Sequence, residues 1–272
     1  MTTFLSSQHE RVWQLGRRYI AGLVPADATA IASALAGQSV AANIGWLTRV
    51  ATDQHTAADN SRRYRRLAVS LAQQPVGTWL EVDLPHIGLE LSVPVAVKQL
   101  RLIAAGLPAG RFIQVGAEDS DQTDSVLATV LAARRAGVPI RATVQANLHR
   151  SPDDVARLTE AGVPIRLVKG GFLEPAERAL PSGAETDLAF VVLAWQIMGE
   201  GTGLTLATHD PRIQSMMPPE VPVEMLLGVR SEGVSSMAAE GRQVRLFVPF
   251  GTAWFDYLAK RVSDAEKAGV TL

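Results

Sequence analysis

Short apolar runs alternate with longer segments of helical period along most of the chain. Eight runs rich in Val, Ile and Leu have the length of strands, and each is followed by a segment whose apolar positions recur every three to four residues. The predicted strands are 40–46, 78–82, 112–115, 141–145, 165–168, 204–207, 223–227 and 244–248. The predicted helices are 57–73, 95–105, 122–136, 152–160, 175–198, 211–216, 234–240 and 253–268.

Proline and glycine support several of these boundaries. Pro152 and Pro175 stand at or near the first position of a predicted helix, and Gly106, Gly137 and Gly162 stand where helices should end. Strands that alternate with helices predict a parallel sheet, and eight such units close into a (β/α)₈ barrel of the TIM type. The pattern alone is also compatible with an open, doubly wound sheet.

The first 36 residues precede the first predicted strand and have a helical pattern. We predict that residues 1–36 form a helical extension covering the bottom or flank of the barrel. Residues 37–272 would then form the barrel itself. The length of 272 residues fits one such domain, and no linker or low-complexity tract divides it.

Composition excludes several classes of function. Hydrophobic residues make up 47% of the chain and the net charge is −1, so a large core can form and no basic field attracts nucleic acid. Without cysteine there is no disulfide, thiolate metal site or cysteine nucleophile. Residues 1–11 lack the apolar core of a signal peptide, and the apolar run 188–198 is too short to span a bilayer. We expect a cytoplasmic protein without a membrane span; contact with the inner membrane face stays open.

Polar residues follow most of the predicted strands. They are Asp83, Glu118, Asp119, Gln145, Asn147, Lys169, Thr208, His209, Asp210 and Arg230. The carboxyl ends of the strands build the active site in a barrel, so these residues would surround one opening. Any single one could be an ordinary solvated strand end, but the set together predicts a functional mouth.

The most specific strand end is the segment 166–172. Arg166 and Lys169 flank the end of a buried strand, and Gly170 and Gly171 then allow the backbone to approach a ligand. Guanidinium and ammonium groups only donate hydrogen bonds, so the pair suits an anionic or electron-rich ligand. An ion pair with a neighbouring carboxylate is the alternative.

The last predicted strand leads through Pro-x-Gly into a helix with aromatic residues and two cations. Tyr257, Lys260 and Arg261 lie three and four residues apart and share a helix face, which could hold a small acid. Trp254 and Phe255 are expected to pack in the core.

Seven segments, in order and at the predicted strand ends, resemble motifs of the proline dehydrogenase family. The strongest is Arg-Leu-Val-Lys-Gly-Gly-Phe at 166–172, which resembles the family's Arg-Leu-Val-Lys-Gly-Ala-Tyr. The other six are 18–22, 118–124, 144–146, 207–210, 224–230 and 247–261. The resemblance implies a distorted (β/α)₈ barrel that binds FAD and oxidises a C–N bond by hydride transfer to flavin N5. In the family, the reduced flavin usually passes its electrons to a quinone.

Carried over by motif, five residues would contact FAD: Gln145, Arg166, Lys169, Thr208 and His209. Arg166 would lie near the reactive edge of the flavin and so count as catalytic. Reduced flavin carries electron density near N1 and O2, which fixed cations stabilise. The chain has no Gly-x-Gly-x-x-Gly element, which argues against a Rossmann site but not against a barrel-bound flavin.

The residues that would face the substrate depart from the family. The differing positions are Asp83 for Lys, Gly116 for Asp, Asn147 for Tyr, Phe247 for Tyr and Lys260 for the first of two Arg. Where the family has three cations for the substrate carboxylate, Asp83, Lys260 and Arg261 leave a net charge of about one. We therefore expect weak or altered use of free L-proline.

Three functions are compatible with these residues. The first is an FAD-dependent dehydrogenase of CH–NH donors that acts on an amine or imino acid other than free L-proline, with a quinone or oxygen as acceptor. The second is an L-proline dehydrogenase forming pyrroline-5-carboxylate, and the third is a non-catalytic barrel that binds a ligand. Asp83, Phe247, Tyr257, Lys260 and Arg261 would contact the substrate. Asp83 and Tyr257 would also take part in catalysis, since Asp83 could orient an ammonium or accept its proton, unless it pairs with Lys260 or Arg261. No metal-ligand spacing of the His-x-x-x-His type is present, and we expect no metal site.

Overall fold

Eight parallel strands form one closed barrel in the computed structural model, which describes residues 12–14 and 16–259. The strands are β1 (Val40–Trp46), β2 (Trp79–Val82), β3 (Ile113–Val115), β4 (Ile140–Gln145), β5 (Ile165–Val168), β6 (Leu204–Ala207), β7 (Val223–Leu226) and β8 (Val244–Phe250). Each strand pairs with the next in the chain, and β8 closes on β1 over seven residue pairs from Val40–Val244 to Trp46–Phe250. The predicted barrel is confirmed and the open sheet is excluded.

Helices follow the strands around the outside. They are α1 (Pro25–Ala36), α2 (Gln54–Ser70), α3 (Val93–Ala104), α4 (Thr123–Arg135), α5 (Ser151–Glu160), α6 (Ala184–Gly199), α7 (Pro211–Ser215) and α8 (Ser231–Ala239). Short 3₁₀ turns cover Leu71–Gln73 and Leu84–Ile87, and residues 254–259 are helical. No helix within the described part of the chain is long and apolar enough to cross a bilayer.

Two helical predictions are wrong in part. The helix predicted over 175–198 begins only at Ala184, because Gly183 before it has a φ of 119° and the chain turns through Pro181. Pro175 opens a single turn instead, in which the N–H of Arg178 donates to its carbonyl. The N-terminal segment is also not continuously helical, since residues 17–24 have irregular backbone before Pro25 starts α1.

Helix α1 lies on the flank of the barrel, packed against β1 and β8. The chain just before it runs along the carboxyl end of β8, where the N–H of Ala21 donates to the carbonyl of Pro249 at 2.8 Å. The helix at 254–259 packs on this segment rather than on the flank, with Leu258 against Tyr19 and Ile20. The flanking helix is therefore supplied by α1, and both the segment before α1 and the helix at 254–259 lie at the mouth of the barrel.

The apolar core lies between the strands and the surrounding helices, whereas the inside of the barrel is polar. TIM barrels are usually filled by Val, Ile and Leu. Here the inward positions carry Asn43, Glu81, Gln114, Arg141, Thr143, Arg166, Thr205, Glu224 and Arg245. Charges buried in this way need partners, so the contacts inside the barrel define its chemistry.

Candidate active site

The centre of the site is the guanidinium of Arg166, two residues before the end of β5. Its two Nη atoms donate to the two carboxylate oxygens of Glu81 on β2, both at 2.7 Å. Nη1 also donates to Glu224 on β7 at 2.5 Å, and Nε donates to Thr143 on β4 at 3.0 Å. Four strands thus fix the position of one cation. Sequence reasoning identified Arg166 but missed Glu81 and the pairing role of Glu224.

Burial and ion pairing have opposite effects on the pKa values of Glu81 and Arg166. Burial raises the pKa of Glu81 to about 7, although the charge and hydrogen bonds of Arg166 act to lower it. Burial alone would lower the pKa of Arg166, but Glu81 and Glu224 outweigh it and hold that pKa above its usual range. Asn43 donates to Glu81 at 2.5 Å and to Glu224 at 3.3 Å, which helps to keep the two carboxylates beside the one cation.

Two further arginines inside the barrel lie close to the indole ring of Trp79. Arg245 stacks 3.4 Å from the ring centre of Trp79, and Arg141 lies 4.7 Å from it. Arg141 also donates to Thr205 at 2.8 Å. Burial lowers the pKa of both arginines to about 10, against the attraction of Glu224. Both remain cationic at neutral pH, so the interior holds three arginines and two glutamates.

Lys169, after β5, is paired with carboxylates of two other elements. Its Nζ lies 2.5 Å from Asp187 on α6 and 3.2 Å from Asp210, which caps α7. Hydrogen bonds from Arg212 and Lys169 hold the pKa of Asp210 well below its usual range. The ion-pair alternative for this cation is therefore realised, with about a third of the lysine side chain still exposed.

Gln145 joins two loops at the mouth. Its Nε2 donates to the carbonyl of Glu118 at 2.9 Å, and its Oε1 accepts from the N–H of Gly171 at 3.0 Å. The neighbouring Gly170 has a φ of 146°, and a side chain there would overlap Asn147. These two glycines let the loop after β5 lie directly against the loop after β4.

Thr208 and His209 follow β6. The hydroxyl of Thr208 accepts from the N–H of Asp210 at 3.1 Å, while Nε2 of His209 accepts from the N–H of Leu226 on β7 at 3.1 Å. A neutral imidazole that accepts at Nε2 carries its proton at Nδ1. His209 therefore bridges the ends of two strands.

Asp83 and Gly116, the first two departures from the family pattern, are direct neighbours in space. A Cβ at Gly116 would overlap Oδ1 of Asp83 and lie 3.7 Å from Oε1 of Glu81. Two carboxylates therefore border the gap that this glycine leaves. The Asp83 side chain is 39% exposed and reaches the mouth.

Among the described residues, the nearest basic group to Asp83 is the imidazole of His86. Nδ1 of His86 lies 3.9 Å from Oδ2 of Asp83 and forms a hydrogen bond of 2.9 Å with the hydroxyl of Tyr64. Burial lowers the pKa of His86, so the ring stays uncharged at neutral pH. Among residues 12–14 and 16–259, no lysine or arginine lies within 4 Å of the Asp83 carboxylate.

Phe247 and Tyr257 meet above the barrel. Their ring centroids are 6.1 Å apart at an angle of 53°. The Phe247 ring fills the space over Gly45, where any larger residue would overlap it. The structure therefore brings these two predicted substrate contacts together.

The other residues predicted to be important in the segment 247–261 have separate outcomes. Lys260 and Arg261 lie outside the described residues. Trp254 is half-buried, with its ring 5.0 Å from that of Trp13. Phe255 is 46% exposed, so its predicted place in the core is wrong, because it lies on the outward face of the helix at 254–259.

The donors at the mouth fit FAD as a cofactor. Arg166 uses four of its five N–H groups within the described residues, which leaves one for a ligand. The partly exposed Lys169 adds a donor from the same strand end, and His209 stands at the end of the neighbouring strand. Oδ1 of Asn147 is buried and has no hydrogen-bond partner in the described part of the chain, so an acceptor is also available. This set can hold a ligand that has both anionic groups and ring N–H groups, as FAD does.

Comparison with known proteins identifies the relatives of the chain. No protein-family model matches it. Proline dehydrogenase 1 of Bacillus subtilis is 27% identical over 259 residues, which cover 91% of this chain and 86% of that protein. Proline dehydrogenase of Deinococcus radiodurans is 26% identical, over 95% of this chain and 88% of its own length.

Solved structures share the fold. The crystal structure of proline utilization A (PutA) from Bdellovibrio bacteriovorus, inactivated by N-propargylglycine, superposes with a TM-score of 0.86 at 18% identity. PutA from Bradyrhizobium japonicum gives 0.71 at 16% identity. The matches cover 97% and 94% of this chain but only 34% and 31% of the PutA chains, so the chain spans about a third of their length. The predicted family resemblance is confirmed: the chain is a divergent relative of the proline dehydrogenases.

Proposed function

We propose that the chain is a flavoenzyme that binds FAD and oxidises the CH–NH group of a small amine or imino acid. The observation that carries the proposal is the convergence of Arg166, Lys169 and His209 at one barrel mouth, in a relative of the proline dehydrogenases. Gln145 and Thr208 would support the cofactor by fixing the loops around it.

The reaction removes one hydride and one proton from the substrate. The hydride leaves the carbon with two electrons, the C–N single bond becomes C=N, and the nitrogen must lose its proton to supply the pair. Bound FAD would supply the acceptor for this hydride, and a quinone or oxygen would be the final electron acceptor. Asp83 is placed to orient the substrate ammonium and to take its proton, because its carboxylate reaches the mouth.

We further propose a cationic amine without a free carboxylate as the substrate. Asp83 and Glu81 both border the gap at Gly116, so a substrate carboxylate there would meet two like charges. A unit charge about 5 Å away costs about 3 kcal/mol at an effective dielectric of about 20. The same interaction would stabilise a substrate ammonium group by a similar free energy. This difference favours amines over amino acids at this side of the mouth.

Free L-proline is the second candidate, because the relatives carry the name proline dehydrogenase. Its carboxylate would bind Lys260 and Arg261, the two predicted substrate-binding cations that follow Tyr257 in the sequence. This arrangement retains two of the cations that the family presents to the carboxylate.

Anaerobic reduction of the flavin separates these candidates. Purified protein should show the absorption of bound FAD near 450 nm, a general property of oxidised flavins. We expect pyrrolidine and L-proline methyl ester to bleach it at least tenfold faster than L-proline, and Asp83→Asn to reduce that preference. Faster bleaching by L-proline would support the second candidate. Bound FAD that no amine or imino acid reduces would indicate a non-catalytic barrel, and a protein without FAD would contradict the proposal.

A further inference from the structure

The carboxylates around Arg166 limit how much positive charge it can offer to a ligand. Glu81 binds both Nη atoms and Glu224 binds one of them, so two negative charges lie against one guanidinium. Both carboxylates are buried, with exposures of 7% and 3%, and water screens them little. Arg245 also approaches Glu224, but the distance from its Nε to Oε2 of Glu224 is longer, at 3.9 Å.

The group also lies directly beneath the mouth. Arg166 stands two residues before the end of β5, and Oε1 of Glu81 lies 3.7 Å from the place that a Cβ at Gly116 would take. A ligand bound over the strand ends therefore interacts with the net charge of Arg166, Glu81 and Glu224 together, and not with the charge of Arg166 alone. The effect of the group on a ligand that gains negative charge is set by Glu81 and Glu224.

We propose that Glu81, together with Glu224, sets the reduction potential of the bound flavin by partly neutralising Arg166. The inference rests on the proposed function, since it requires FAD at this mouth. A two-electron reduction gives the flavin negative charge near N1 and O2, which a lone arginine would stabilise. The two carboxylates weaken this stabilisation and hold the potential low. Both glutamates are positioning residues, because they act through Arg166 and do not contact the cofactor.

Replacing one carboxylate by its neutral amide tests the proposal. In holoprotein at pH 8, Glu81→Gln should raise the preference for reduced over oxidised flavin at least tenfold, which equals about 30 mV for a two-electron couple. Glu224→Gln should act in the same direction. The matched control is Glu90→Gln, an exposed carboxylate that bonds only to Gln122 among the described residues and should leave the potential unchanged.

The pH dependence gives a second measurement that a purely structural role would not produce. The charged and polar groups facing Glu81 are Arg166, Glu224, Asp83 and Asn43. Because burial raises the pKa of Glu81 to about 7, the carboxylate gains a proton below neutrality. The difference in potential between the wild type and Glu81→Gln should therefore shrink at pH 6.

Each outcome has a distinct meaning. A protein that binds no FAD contradicts the proposed function, and the potential then cannot be measured. If FAD binds and neither Glu81→Gln nor Glu224→Gln shifts the potential, the proposed function stands and this inference is wrong. If the variants do not fold, the pH dependence of the wild-type reduction potential still tests the inference. Between pH 6 and pH 8 the reduction potential should fall more steeply than one proton per two electrons requires, and a slope of one proton per two electrons would overturn the inference.

Discussion

Arg166 illustrates how a residue can be identified from sequence while its environment is not. The motif around it resembled a flavin-binding strand end, which was enough to single it out. Its partners come from strands 85 and 58 residues away, so no local motif could contain them. The sequence nevertheless contains a signal for each of the two glutamates. Glu81 stands between apolar neighbours in a predicted strand, and Glu224 does the same, and a charge at such a position needs a buried partner.

Removing Arg166 should leave both glutamates buried without their cation. We expect Arg166→Met to lower the free energy of unfolding by about 3–5 kcal/mol, as for other broken buried ion pairs. Chemical denaturation measures this directly, with the exposed Arg178→Met as control.

The triple variant Arg166→Met, Glu81→Gln, Glu224→Gln provides a second comparison. It should recover part of the loss, because neither Glu81 nor Glu224 is then a buried negative charge without its cation. A loss below about 1 kcal/mol in Arg166→Met would show that water reaches these carboxylates.

Asp83 and Gly116 are neighbouring positions at which substitution should change the substrate preference toward L-proline. We expect Asp83→Lys with Gly116→Asp to raise the rate of flavin reduction by L-proline at least tenfold, since the pair restores a cation for the carboxylate. Gly116→Asp alone should fail, because its side chain would overlap Asp83 and add a like charge.

Stopped-flow reduction of the double variant and both single variants gives the comparison. No gain in the double variant, despite bound FAD, would mean that these two positions do not select the substrate.

At the scale of elements, the strands were predictable and one helix was not. All eight strands occur within two residues of their predicted bounds, because short β-branched runs between helical segments give a strong local signal. The helix over 175–198 was extended too far because Pro175 is a common first helical residue. That position holds only an isolated turn, and the true start depends on Gly183, whose φ of 119° sequence does not reveal.

The two glycines at the ends of α6 should respond in opposite directions to the same substitution. Gly183→Ala should destabilise the protein by about 1 kcal/mol, because alanine is strained at a φ of 119° although space is open around it. Gly199→Ala, in helical backbone with equally open space, should stabilise it by up to about 1 kcal/mol. Thermal unfolding of both variants tests the pair, and equal effects would contradict the assigned start of α6.

At the scale of the whole molecule, the buried charges couple stability to pH. The pKa of Glu81 is raised from about 4.5 in the unfolded chain to about 7 in the folded protein, so the folded state holds this proton more tightly. Stability from this group is fully present below pH 4.5 and is lost as pH rises through 7, by up to about 3 kcal/mol.

Unfolding free energies of the wild type and Glu81→Gln at pH 5 and pH 8 measure this contribution. We expect the wild type to lose more stability than the variant over this interval. An identical loss in both proteins would show that Glu81 does not titrate in this range.

The fold as a whole follows from alternation of strands and helices, but the arrangement of its ends does not. Periodicity assigned helices to both ends and left open whether residues 1–36 would cover the bottom or the flank of the barrel. The choice is made by tertiary contacts, such as Leu258 with Tyr19 and Ile20, that join residues more than 200 positions apart.

That contact between the two ends has a consequence for protein synthesis. Residues 16–22 leave the ribosome early, yet their contacts with Pro249, Gly251 and Leu258 can form only when those residues have been made. A nascent chain can therefore pair β1 to β7 while the mouth is still open, and the site is assembled as the final step. A chain that ended just after β8 would keep every strand of the barrel and the partners of Arg166, but would lack Tyr257 and Leu258, and with them one wall of the mouth.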